Sequence, residues 1–148
     1  MPTLIRNKKA HFNYELLDKF EAGMVLRGFE VKSLKKGQGS FEGAHIVIRG
    51  DEAFLVGATI PAYQPANTPK DYDPARTRKL LLNKKELNEL SRAERQKGLT
   101  IVPISVYTKG NKVKLGIAIA KGKKKHDKRE TIKKRDVERE VARDIKEY

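Results

Sequence analysis

The chain has 148 residues, with 33 Lys and Arg against 19 Asp and Glu, for a formal net charge of +14. That length suits one domain with a short appendage, and the charge favours a polyanionic partner, nucleic acid ahead of anionic lipid. Zero cysteines exclude disulfides, thiolate catalysis and cysteine-ligated zinc, and no run nears the ~18 apolar residues of a membrane span. Met1-Pro2-Thr3-Leu4 opens no signal-peptide pattern, so the expected location is the cytoplasm.

Residues 1–10 read as a loose polar arm. Phe12, Leu16, Leu17 and Phe20 then recur at helical spacing and predict a short amphipathic helix over 11–22, stopped by Gly23. Strands are predicted over 24–34, 44–49, 53–60, 100–107 and 113–120. In the last of these Val113, Leu115, Ile117 and Ile119 alternate with Lys114, Gly116, Ala118 and Ala120, giving one large apolar face and one small or polar face. Gly50-Asp51 and Gly110-Asn111 mark turns, the second joining the final two strands in a hairpin. Pro65, Pro69 and Pro74 make 62–74 an exposed ordered loop, and the leucines at the end of 76–82 suggest a further strand. Asn83 is placed to cap a helix with Glu86 at the reciprocal position, and Leu87, Leu90 and Ala93 trace its buried side up to Gly98.

About six short strands with helices beside them predict a mainly β fold. A small closed antiparallel OB-like barrel over residues 1–120 fits best, with glycines at 28, 39, 43, 57 and 116 at its bends; an open α+β sheet is the alternative.

Residues 121–148 form a basic C-terminal tail that starts with Lys121, Lys123, Lys124, Lys125, His126, Asp127, Lys128 and Arg129. Asp127 and Glu130 can cap a helix, in which Val137, Val141, Ile145 and Tyr148 form one stripe while Arg135, Arg139, Arg143 and Lys146 lie nearly opposite. So little apolar surface cannot support a free helix, so the tail is expected to be disordered or nascent until it lies in a negatively charged groove. A merely solubilising tail has no need of such segregated stripes.

No catalytic residue, metal site or cofactor is expected. His11, His45 and His126 fit no ligand pattern, and Gly37-Gln38-Gly39-Ser40 lacks the lysine of a phosphate loop. Asp71 and Asp73 suit a turn better than the metal pair of a nuclease. Tyr14, Phe20, Phe29, Tyr63 and Tyr72 offer rings for stacking on unpaired bases, and lysines at 32, 35, 36, 79, 84 and 85 could hold phosphates.

Three ordered blocks carry a family resemblance: Glu21-Ala22-Gly23 with Gly28-Phe29-Glu30-Val31-Lys32-Ser33-Leu34; Asp73-Pro74-Ala75-Arg76-Thr77-Arg78-Lys79-Leu80-Leu81-Leu82-Asn83; and Ala120-Lys121-Gly122-Lys123-Lys124 with Asp127-Lys128-Arg129. Through nearly its whole length the chain resembles the SsrA-binding protein family. The resemblance implies an OB-like barrel that binds the tRNA-like domain of transfer-messenger RNA, with elongation factor Tu as a further partner through the aminoacylated RNA. It implies RNA contacts at Glu21, Leu81 and Asn83, to which Glu30, Lys32 and Lys79 are added. It also implies that the tail enters the vacant messenger channel of a stalled ribosome and folds there, His126 nearing the small-subunit decoding centre while Lys128 and Arg129 hold ribosomal phosphates. Lys35 departs from the arginine common in the family, and Val137 from a larger apolar residue. The expected role is an adaptor, with a permanent ribosomal protein or a metal-dependent nuclease as rivals.

Overall fold

A computed structural model describes residues 3–64, 66 and 68–123. In chain order the elements are β1 (Thr3–Arg6), α1 (Lys8–Asn13), β2 (Tyr14–Met24), α2 (Gly28–Lys35), β3 (His45–Arg49), β4 (Glu52–Val56), β5 (Arg78–Leu81), α3 (Lys84–Arg95), β6 (Leu99–Lys109) and β7 (Lys112–Gly122). The seven strands make one sheet in the order β1-β6-β7-β2-β5-β4-β3, with every pairing antiparallel. Its inner face carries Ala22, Leu55, Leu80, Val106, Leu115 and Ile117, all essentially inaccessible, against Leu34 of α2 and Leu90 of α3. Burial of each such Leu, Ile or Val contributes about 1.5–3 kcal/mol relative to exposure.

The closed barrel expected from strand number is not observed, because β1 and β3 stand at opposite ends of the ladder without pairing. Helix α3 supplies what a closing strand would have offered. The outward N–H of Ile48 donates to Glu94 Oε2 at 2.7 Å, and Arg49 meets Glu94 Oε1 at 2.8 Å. An edge donor satisfied by a side chain needs no neighbouring strand.

Three other local expectations give way. The helix expected over 11–22 is strand β2 preceded by α1, and Gly23 sits inside the strand. A register shift between Leu16 and Lys19 explains the misleading spacing. Before it Leu16 faces a small cluster with Ala10, Val102 and Ala120; after it Phe20 faces the main core. An extra residue in the strand thus converts alternation into an apparent period near four. The strand expected over 24–34 is largely helix α2, whose buried positions Glu30, Ser33 and Leu34 fall at helical spacing. Two of those three are polar, so apolar periodicity hid them. Residues 3–10 of the expected loose arm are also ordered: β1 pairs with β6, and Asn7 Nδ2 donates to the carbonyls of Phe41 (3.1 Å) and Pro103 (2.8 Å).

Two further local readings hold. Asn83 and Glu86 cap α3 reciprocally, at 2.8 and 3.2 Å. Lys109 pairs with Lys112 around Gly110-Asn111, where Gly110 takes a φ of 62° that favours glycine. β7 extends two residues beyond the boundary expected at Ala120, since Lys121 and Gly122 pair with Glu15 and Tyr14.

Candidate nucleic-acid interface

Cross-strand partners in a sheet share a face, so the register alone assembles the outer surface of its middle strands. On β2, Glu21 stands opposite Gly116 and Gly23 opposite Lys114 of β7. On β6, Ser105 and Tyr107 continue the rows of Gly116 and Lys114. On the other side Gly23 faces Leu81 of β5, and Lys79 shares that face two residues earlier. The intervening Ala22, Leu80, Val106 and Leu115 point into the core.

Leu81 keeps 55% of its surface exposed, the largest share among the exposed large hydrophobics of the described residues. Nothing rises beside it at Gly23, where a Cβ would lie 3.3 Å from Leu81 Cβ and 3.7 Å from Lys114 Nζ. Asn83 follows as the exposed N-cap of α3, its side-chain oxygen accepting from the Glu86 N–H and its own N–H donating to Glu86 Oε1. A flat apolar spot flanked by amide, lysine and carboxylate can hold a sugar or base face while reading its edge.

Glu21 is the ordered carboxylate of this surface. Tyr107 donates its hydroxyl to Oε2, and Lys109 Nζ lies 3.3 Å from Oε1. The Tyr107 hydrogen bond holds the Glu21 pKa below the ordinary carboxylate value; partial burial opposes this, and Lys109 and Lys114 assist. Burial, followed by donation to Glu21, pushes the Tyr107 phenol above its ordinary value. Lys79 is exposed and meets Glu52 at 3.2 Å.

Glu30, expected among the RNA contacts, is fully buried. Its carboxylate accepts from Arg78 Nε (3.0 Å) and Nη2 (2.8 Å), from Arg76, from the Arg27 N–H (2.8 Å) and from the Tyr72 hydroxyl (3.0 Å). Arg78, equally buried, also donates to the carbonyls of Ala58, Pro74 and Arg76, each at 2.9 Å. Desolvation raises the Glu30 pKa, but donors led by Arg76 outweigh it and bring the value down to about 2. Glu30 therefore ties α2 to the loop before β5 and presents no acceptor to a ligand. Tyr72, offered above as a stacking ring, is likewise engaged, its ring edge-on to Phe29 at 4.7 Å.

Of the expected RNA contacts, Glu21, Lys79 and Leu81 thus share one face, Asn83 adjoins it, Lys32 is exposed on α2, and Glu30 lies inside. Tyr107, Lys109 and Lys114 were missed. The alternation of β7 had marked Lys114 and Gly116 as one face, and Val106-Tyr107 in β6 carries the same alternation of buried and open positions. In the tail, Lys121 is exposed at the end of β7, while Lys123 donates from Nζ to the His11 carbonyl (3.0 Å) and from its N–H to the Asn13 carbonyl (2.9 Å). Lys124, His126, Asp127, Lys128, Arg129, Arg135, Val137, Arg139, Val141 and Ile145 lie outside the described residues.

Among the described residues no group of three or more His, Asp or Glu side chains could hold a metal ion, and no helix is long and apolar enough to cross a membrane. Asp73 accepts from the Ala75 N–H at 2.9 Å, as a turn former does.

The family model described as SmpB protein matches residues 4–147. The chain belongs to the SmpB family. An SsrA-binding protein of Burkholderia lata is 50% identical over 141 residues, covering 95% of each chain. One of Mesoplasma florum is 53% identical over 140 residues, covering 95% of this chain and 94% of the relative. A solved structure described as "tmRNA-SmpB: a journey to the center of the bacterial ribosome" matches with a TM-score of 0.70 and 37% identity, over 89% of this chain and 95% of that one. The SmpB family assignment thus agrees with the sequence blocks that carry Glu21, Leu81 and Asn83.

Proposed function

We propose that this chain is a non-enzymatic adaptor that binds the tRNA-like domain of transfer-messenger RNA and delivers it to stalled ribosomes in the cytoplasm. The observation that carries the reading is the β6-β7-β2-β5 face, where exposed Leu81 and the ordered Glu21 carboxylate lie among Lys79, Lys109 and Lys114 in a member of the SmpB family. Lysines supply attraction that is indifferent to sequence; Leu81, Asn83 and Glu21 supply contact with bases and sugars. Lys32 on α2 adds to the field.

The same reading assigns the tail, from Lys124 through His126, Asp127, Lys128 and Arg129 to the stripes of Arg135 and Arg139 and of Val137, Val141 and Ile145, to the messenger channel and decoding centre. Lys121 and Lys123 form its root. Elongation factor Tu joins through the aminoacylated RNA. The proximity of β3 to β6 supports describing the curled sheet as OB-like and nearly closed.

Two variants test the division of labour. Leu81→Ala should weaken binding to the isolated tRNA-like domain by about tenfold, since a leucine covered by the RNA contributes about 1.5 kcal/mol or more through apolar burial. Truncation after Lys123, which spares the whole of β7, should leave that binding near wild type and abolish tagging of stalled chains. Normal tagging by the truncated chain would refute the role given to the tail.

A further inference from the structure

The Glu21 carboxylate is held from two strands away, and the means is a missing side chain. Glu21 lies directly opposite Gly116, with Ser105 beyond it, while Tyr107 occupies the next row. A tyrosine there reaches Glu21 only by lying across the intervening strand. It does: a Cβ built on Gly116 would sit 3.5 Å from Tyr107 Cε1 and 3.3 Å from Ser105 Oγ. Gly116 thus makes the saddle over which the phenol ring passes to donate to Glu21 Oε2, while Lys109 engages Oε1. The φ of Gly116 is not left-handed, so the position uses glycine for space alone.

A carboxylate has about four lone-pair sites, of which these two donors take one on each oxygen. About a third of the Glu21 side chain, 34%, remains open. With its rotation stopped on both oxygens, the group is an ionised acceptor fixed before any ligand arrives, and its natural complement is a pair of N–H donors on a base edge. Phosphates, by contrast, are repelled.

We infer that Tyr107, seated over Gly116, is a positioning residue that fixes Glu21 to read an amine-bearing base edge in the bound RNA. The inference rests on the proposal that this face binds the tRNA-like domain.

The test titrates the full chain with that RNA, intact and with single guanosines replaced by inosine or single adenosines by purine riboside, each lacking the exocyclic amine. Wild type should lose about tenfold at one position, the discrimination expected of a good base-edge pair. Tyr107→Phe keeps the ring and should weaken binding to intact RNA about tenfold, with an unchanged salt slope because no phosphate contact is lost. On the RNA whose recognised amine is removed, Tyr107→Phe and wild type should bind alike. Gly116→Val, which blocks the saddle while leaving the chemistry of Tyr107 and Glu21 unaltered, should reproduce the Tyr107→Phe pattern, and Gly116→Ala should lie close to wild type. Equal binding of Tyr107→Phe and wild type on intact RNA, or an equal loss on every RNA, would overturn the inference. If Leu81→Ala and Lys114→Ala also bind like wild type, the interface itself is misplaced rather than its acceptor.

Discussion

Glu30 and Glu21 are nine residues apart in sequence, both belong to the recognised family blocks, and both hold tyrosine and cationic partners; yet they do opposite work. Glu30 is inaccessible, with its oxygens taken up by Arg27, Tyr72, Arg76 and Arg78, so its acceptor capacity goes into capping α2 and joining it to the chain entering β5. Glu21 is about one-third exposed and only partly engaged, so part of its capacity remains for a partner. Burial, rather than residue type or pairing chemistry, separates the fastening from the proposed reading group. The two sites are also coupled through β5, because Arg78, which fixes Glu30, is followed by Lys79 and Leu81 of the proposed interface.

The contrast breaks most visibly in stability. Glu30→Ala leaves a buried Arg78 without its counter-charge and should cost about 3–5 kcal/mol in denaturant unfolding. Glu21→Ala removes only a surface pair and should cost less than about 1 kcal/mol, while RNA binding falls. If the two variants unfold at the same denaturant concentration, the division between them is wrong.

Acid sharpens the same point. The folded-state pKa of Glu30 is depressed, so its contribution is complete above the ordinary value near 4.5 and is lost as pH falls toward about 2. Wild type should therefore lose stability across that window in equilibrium unfolding. Glu21→Gln should follow the wild-type curve closely, and Glu30→Gln should start lower and fall less steeply.

The smallest effect belongs to Lys79, whose exposed pair with Glu52 contributes little to folding. Lys79→Ala should change stability by less than about 0.5 kcal/mol. It should also lower the slope of log affinity against log salt by about one if Lys79 holds a phosphate.

What was legible in the sequence followed from local chemistry. The α3 cap needs only Asn83 and Glu86, and the β6–β7 hairpin only Gly110-Asn111 between alternating runs. What was hidden depended on partners distant in sequence. The β2 bulge disguised a strand as a helix, and α2 turns a carboxylate inward because Arg76 and Arg78 arrive from much later in the chain. The interface divides in the same way. Glu21, Leu81 and Asn83 stand in recognisable blocks, whereas Tyr107 meets Glu21 only when the register of three strands lays it over Gly116. Glu30 was misassigned for the complementary reason: its block resembles the family, but only the structure shows that it is buried.

The most direct test of the central claim is the footprint of the isolated tRNA-like domain on the backbone amides of the full chain, followed by NMR titration. We predict perturbations concentrated at Glu21, Gly23, Leu81, Asn83, Tyr107 and Lys114, with His45 to Arg49 of the β3 edge unaffected. A footprint centred on β3 and α3, leaving Glu21 and Leu81 unchanged, would contradict the account.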